Sequence, residues 1–129
     1  MIEVACAVIV RDDGKVLVTQ RSAEMKLPLK MEFPGGKIEP GETARDCIIR
    51  EVFEELGVAI IPVSQLAINE HQYADFSIRL IPFVCRITSG TVVLKEHAAY
   101  SWLQTNELID LDWAAADIPV VRNYLSSIK

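Results

Sequence analysis

The chain has 129 residues, of which 50% are hydrophobic and 24% charged, and it carries a formal charge of −5 at neutral pH. Those values suit one globular domain around a single core, expected over residues 1–129. They exclude the cationic face that a long nucleic acid requires, and no apolar run approaches the roughly 20 residues that span a bilayer.

Met1 to Val10 lacks a basic leader and a small-residue cleavage site, which points to a cytoplasmic protein. Val4 to Val10 is apolar and β-branched and reads as a strand. Arg11-Asp12-Asp13-Gly14 is a turn whose Asp-Gly step signals a hairpin into a second strand, Val16 to Thr19. Ser22 to Met31 reads as a polar, proline-containing loop, and the Phe33-Pro34-Gly35-Gly36 run is expected to break regular structure as a Gly-Gly turn. A helix follows. Thr43 is a good N-cap, Asp46 completes a capping-box-like Thr-x-x-Asp, and Gly57 sits where a left-handed C-terminal cap belongs. Ile48, Ile49, Val52, Phe53 and Leu56 are its expected packing face.

Ala59 to Ile87 is strand-like with a break near Ala74-Asp75. Pro82 withdraws a ladder donor, so an edge position or a bulge is expected there. Ala99 to Leu103 reads as a strand, Thr105 to Glu107 as a brief helix, and Asp117 to Ile128 as a final helix with Pro119 in its first turn. Strands alternating with helices give a mixed sheet with helices on its faces. Cys6, Cys47 and Cys85 are odd in number and widely spaced, which reads as buried free thiols rather than a disulfide framework or zinc site.

Chemistry concentrates on the central helix. Glu51, Glu54 and Glu55 fall at i, i+3 and i+4, so their side chains converge on one helix face. Like charges at that spacing destabilise a helix unless a cation compensates them. Clustered carboxylates suit a hard, oxygen-preferring ion such as Mg²⁺, with Mn²⁺ as a substitute. Such an ion neutralises charge developing on phosphates and activates water, while a remaining carboxylate serves as general base. Arg50 is placed to orient Glu51 through a bidentate pair.

From Gly36 to Val58 the sequence follows the pattern G-x5-E-x7-R-E-U-x-E-E-x-G-U, where U is a bulky aliphatic residue. Gly36, Glu42, Arg50, Glu51, Val52, Glu54, Glu55, Gly57 and Val58 occupy every constrained position. On average residue usage, a chance match is on the order of one in ten million. The chain thus resembles the Nudix hydrolases, and the resemblance to their MutT-like members runs over nearly its whole length. It implies an α/β/α sandwich with a mixed sheet and this helix on one face. It also implies roles. Glu51 is a metal ligand or general base, Glu54 and Glu55 are metal ligands or their supports, and the Gly35 carbonyl meets the metal.

Outside the box, Thr19-Gln20-Arg21 resembles the segment that supplies a phosphate-contacting arginine, and Lys37 closes the matching Phe33-Pro34-Gly35-Gly36-Lys37 lead-in. Glu96 falls where MutT-like enzymes bring a further acid to the metal. Surface charges are the competing reading for all three. Val4 and Phe33 match positions around the nucleoside and are alternatively core. Asp117 stands where MutT has an asparagine that reads an oxidised guanine. Ionised aspartate only accepts hydrogen bonds, which suits the exocyclic amine of cytosine and equally the N1–H and 2-amino group of guanine. An N-cap is its competing role.

The Ala116-Asp117-Ile118-Pro119 ending, with Glu96-His97 and Trp102, looks like the CTP pyrophosphohydrolase branch. His71 and His97 lack partners at metal or triad spacing, and Trp102 and Trp113 read as packing residues. The resemblance implies hydrolysis of nucleoside triphosphates to monophosphate and pyrophosphate, with CTP-like pyrimidines ahead of 8-oxo-dGTP. ADP-ribose, dinucleoside polyphosphates and sugar nucleotides are further family substrates. A non-catalytic nucleotide-binding module is the rival of another class. The expected partner is a small nucleotide, not a polymer or a membrane, and the expected state is a monomer or weak homodimer.

Overall fold

The structure is a computed structural model that describes residues 1–128. Its strands are β1 (Ile2–Ile9), β2 (Val16–Gln20), β3 (Met31–Glu32), β4 (Gly35–Lys37), β5 (Ala59–Gln65), β6 (Asn69–Gln72), β7 (Ser77–Ser89) and β8 (Ala99–Leu103), and its helices are α1 (Ala44–Leu56) and α2 (Ile118–Ser127). Two sheets form. One has the order β4-β1-β7-β5, with β6 also on β7; the other has the order β3-β2-β8. β1 and β7 run parallel and every other pairing is antiparallel, so the larger sheet is mixed.

β1 explains the layering. Ala5 to Ile9 are at most 2% exposed, because helices cover both faces of this central strand. Ala5, Ala7 and Ile9 point into a core shared with α1 through Cys47, Ile48, Val52 and Leu56. Cys6 and Val8 point the other way, against Val120, Val121 and Tyr124 of α2 and Trp113. This is a helix–sheet–helix sandwich, as the sequence implies.

The turn after β1 forms, with Arg11 donating to the Lys15 carbonyl at 2.8 Å and Gly14 at φ 85°. The expected hairpin does not extend beyond it. A single Val10–Val16 bridge joins the strands before β1 and β2 part into different sheets. Phe33 to Gly36 also departs from expectation, since Gly35 and Gly36 lie in β4 rather than a turn. β4 pairs Gly35 with Cys6 and Gly36 with Ala5. A Cβ on Gly35 would stand 2.0 Å from the Ala5 carbonyl oxygen, so only glycine permits this approach.

Pro82 is not on an edge strand. β7 is flanked by β1 on one side and by β5 and β6 on the other. The missing donor falls in the gap between β5 and β6, where the Pro82 carbonyl accepts from Leu66 N–H at 2.9 Å. The β5–β7 register shifts instead at two places in β5, between Ala59 and Ile60 and between Pro62 and Ser64. The break near Ala74-Asp75 is the β6–β7 connection, and Thr105–Glu107 forms the brief helix as a 3₁₀ turn.

α1 has the caps the sequence specifies. The Thr43 hydroxyl accepts from Asp46 N–H at 3.0 Å, and Gly57 adopts φ 71°. Only the Thr43 half of the capping box forms among the described residues. Phe53, expected to pack, is 61% exposed, because the i, i+4 row of Ile48, Val52 and Leu56 faces the sheet. Cys47 is buried in its stead. All three cysteines are free and buried. No helix among the described residues is long and apolar enough to cross a membrane.

Candidate active site

The C-terminal half of α1 lies beside β4, and the loop from β7 to β8 lies against the end of α1. That loop is tied down by Val93 N–H to the Leu56 carbonyl (2.8 Å) and Lys95 N–H to the Glu55 carbonyl (3.2 Å). Between these elements and β1, β3 and the β6–β7 connection opens a cavity of about 630 Å³. Its volume is in the range of small-molecule sites. One end is acidic, with Glu32, Glu51, Glu55 and Glu96. The other is largely apolar, with Val4, Phe33, Leu80 and Tyr73 around Asp117.

Arg50 organises the acidic end from outside the cavity wall. Its Nε and Nη2 donate to the two Glu42 oxygens at 2.7 and 2.9 Å, while Nη1 donates to Glu51 (2.9 Å) and Glu54 (2.6 Å). The expected bidentate pair is therefore made with Glu42, not Glu51, because Glu42 presents both oxygens to the fork from the loop ahead of α1. Arg50 holds the Glu42 carboxyl down to about 2. Glu54 projects to solvent and does not line the cavity.

Glu51 and Glu55 do line it. A Cβ on Gly36 would fall 2.3 Å from the Glu51 carboxyl carbon, so glycine at that position makes the room Glu51 occupies. Burial raises the Glu51 carboxyl, with Arg50 opposing. Glu55 accepts from Gly35 N–H at 3.1 Å, yet its carboxyl is pushed up to about 8. Burial is the main cause, followed by the negative charges of Glu51 and Glu32, with Glu96 adding less.

Among the described residues, no three His, Cys, Asp or Glu side chains are already closed round a cation position. The donor chemistry nevertheless fits one. The set consists of carboxylate oxygens, and the charges of Glu51, Glu32 and Glu96, which add to burial in raising the Glu55 carboxyl, are ones a divalent ion would offset. Glu51, Glu55 and Glu96 would hold it, with the Gly35 carbonyl at hand in β4.

At the other end, Asp117 does not cap α2. It sits in αR geometry at the close of a 3₁₀ turn, Ala115–Asp117, with no side-chain capping bond. Its Oδ2 instead accepts from Phe33 N–H at 2.8 Å, across 84 residues of sequence. The side chain is buried, and burial chiefly, with Glu32 second, raises its carboxyl to about 8. Tyr73 braces the same turn, its hydroxyl accepting from Ala116 N–H at 2.8 Å. Trp113 packs on Phe33 with ring centroids 4.8 Å apart and supports the cavity floor from behind. Trp102 packs against the α1 core.

Arg21 and Lys37 line the cavity, as do Val4 and Phe33. His71 lies in β6, edge-on to Tyr73 at 4.5 Å. His97 is a buried histidine, one of the two placements the sequence allows, and its Nε2 is 2.7 Å from Glu32 Oε2. Glu32 also receives Arg21 Nη1 at 2.8 Å. Glu32, Glu39 and Tyr73, all lining the cavity, escaped sequence reasoning. Glu32 directly precedes the Phe33 lead-in, which is the signal that marks it; Tyr73 offers none.

The family model of the NUDIX domain matches residues 1–124. The chain is 35% identical over 126 residues to the CTP pyrophosphohydrolase of Escherichia coli K12, covering 98% of this chain and 93% of that protein. It is 30% identical over 120 residues to the 8-oxo-dGTP diphosphatase of the same organism, covering 93% of each. The solution structure of the DNA mismatch repair protein MutT, a Nudix hydrolase from methicillin-resistant Staphylococcus aureus 252, superposes with a TM-score of 0.78. It is 41% identical and covers 98% of this chain and 96% of that one. The sequence pattern of α1, the sandwich and these relatives agree: this chain belongs to the NUDIX family, as a hydrolase of phosphoric anhydride bonds.

Proposed function

We propose that the chain is a Mg²⁺-dependent nucleoside triphosphate pyrophosphohydrolase acting on CTP- or dCTP-like pyrimidines in the cytoplasm. One observation carries the reading: a single cavity joins an acidic end fit for cations and phosphates to an apolar end fit for a base. When bound, the cation screens charge on the phosphate chain and makes water a better nucleophile. Glu51, partly buried and steered by Arg50, takes up the proton from the attacking water. Glu55 on α1 and Glu96 on the β7–β8 loop would hold the cation, with Glu54 of α1 able to join them. Arg21 and Lys37 neutralise phosphate oxygens at the rim.

At the base end, Asp117 faces the nucleoside from a position fixed by Phe33 and Tyr73. An ionised carboxylate accepts from the cytosine amine. A specific observation supports a second substrate, because a carboxyl raised to about 8 carries a proton for much of its time at neutral pH. A protonated carboxyl donates and accepts, as the asparagine of MutT-like enzymes does, and so serves 8-oxo-dGTP. The two named relatives divide along the same line.

A nucleotide panel with Mg²⁺, scored for monophosphate release, tests the proposal. At pH 9, where Asp117 is ionised, CTP and dCTP should lead, with 8-oxo-dGTP second and gaining as the pH falls. Absence of turnover with every nucleoside triphosphate overturns it.

A further inference from the structure

The geometry points to His97 as a positioning residue that, through Glu32, holds Arg21 in its phosphate-facing pose. The inference rests on the nucleotide reading of the cavity. His97 lies one residue beyond Glu96 and is anchored by Ala98 N–H to the Gln20 carbonyl at 2.9 Å, next to Arg21 in the chain. Its side chain is 2% exposed, against 17% for Glu32 and 22% for Arg21. All three line the cavity, with His97 the most enclosed.

The Glu32 backbone is tied to β2. Its carbonyl accepts from the Thr19 hydroxyl at 2.9 Å, and β3 pairs it with Thr19 of β2. One carboxylate oxygen takes Arg21 Nη1 and the other takes His97 Nε2. A carboxylate already paired with a guanidinium accepts and does not donate, so Nε2 is the ring nitrogen that carries the hydrogen. With both oxygens engaged, Glu32 is fixed, and Arg21 Nη1 is fixed with it.

A second observation separates this role from simple packing. Among the described residues, no protein group hydrogen-bonds the buried His97 Nδ1. An unpaired buried nitrogen costs stability, and an apolar side chain of similar size would avoid that cost. What histidine supplies and an apolar residue does not is the bond to Glu32. Arg21 also donates from Nε to the Lys26 carbonyl, so two of its three nitrogens are held and Nη2 is left for a phosphate oxygen.

The test is a double-mutant cycle of His97→Leu with Arg21→Ala, using CTP, or 8-oxo-dGTP if the panel prefers it. A phosphate grip present in both ground and transition state appears in KM. His97→Leu should raise KM about tenfold with kcat within about threefold, the loss expected for one charge-assisted bond. In the Arg21→Ala background the same substitution should change KM by less than about twofold. His97→Gln, which keeps an amide donor able to reach Glu32, should restore KM to near the parent value.

If His97→Leu fails to fold, His97→Asn, too short to reach Glu32, must show the same Arg21-dependent rise. Equal loss in both backgrounds, or a loss in kcat with a lowered Tm, assigns His97 a structural role and overturns the inference. An Arg21→Ala variant with the parent's KM overturns it too, while leaving the nucleotide reading intact. A parent that hydrolyses no nucleotide overturns both.

Discussion

Replacing Asp117 with asparagine keeps the acceptor that receives Phe33 N–H at 2.8 Å and removes the proton equilibrium beside the base. In the parent, Oδ2 is occupied by that bond, so the proton resides on Oδ1. A carboxyl held at about 8 by burial is roughly nine-tenths protonated at pH 7 and roughly one-tenth at pH 9. On the function proposed above, the protonated form would serve 8-oxo-dGTP and the ionised form CTP. The ratio of kcat/KM for CTP to that for 8-oxo-dGTP should therefore rise about a hundredfold between pH 7 and pH 9 in the parent, about tenfold from each substrate.

The D117N variant cannot titrate there, so its profile reports only the titration of the nucleotides themselves. Dividing the parent profile by the D117N profile isolates Asp117. Competition assays with both nucleotides in one tube, read by chromatography, give the ratio directly. At pH 7 the two proteins should resemble each other, and at pH 9 they should diverge. Parallel profiles, or a parent ratio that falls with pH, would refute the placement of Asp117 at the base.

Glu51→Gln should lower kcat by a factor of about 10²–10⁴ while nucleotide affinity, read by calorimetry, stays within about threefold. Equally slow parent and variant would favour a binding module. Gly36→Ala puts a Cβ 2.3 Å from the Glu51 carboxyl carbon, the mobile end of a side chain, so the fold should survive and activity should drop at least about tenfold. Gly35→Ala puts its Cβ 2.0 Å from the Ala5 carbonyl oxygen, so this variant should lose the cooperative melting transition; if it melts like the parent, the close β1–β4 approach is wrong.

Metal-free stability should depend on pH. Glu55 moves from 4.5 to about 8 on folding and Asp117 from 3.8 to about 8. Between those limits the folded state binds the more protons, so stability falls as pH rises and levels above about 8. The slope is up to about 1.4 kcal/mol per pH unit for each group, readable from denaturant titrations. Saturating Mg²⁺ should flatten the Glu55 share, since a cation favours the ionised form. A slope of opposite sign refutes the burial of these carboxyls.

Local signals were legible in the sequence and distant pairings were not. Thr43, Gly57 and the turn at Gly14 act over three or four residues, so their roles follow from residue type alone. The partition of β1 and β2 into two sheets depends on β4 and β7, which approach from elsewhere in the chain. Gly35 and Gly36 read as a turn because glycine marks both turns and close approaches, and only the Ala5 backbone distinguishes the cases. The acidic row of α1 followed from helical periodicity. The Glu32–His97 pair spans 65 residues, and the Asp117–Phe33 bond spans 84. No spacing rule reaches that far. Asp117 stands out in the sequence, yet it does not cap α2, because its carboxylate accepts from the buried Phe33 N–H instead.

The central claim is that the acidic end of the cavity recruits a cation for attack on a phosphoanhydride. Phosphorus NMR of CTP incubated with the protein, with and without Mg²⁺, tests it most directly. CMP and pyrophosphate should appear together, and only when the cation is present. Turnover undiminished by a chelator, or CDP with inorganic phosphate in their place, would contradict the account.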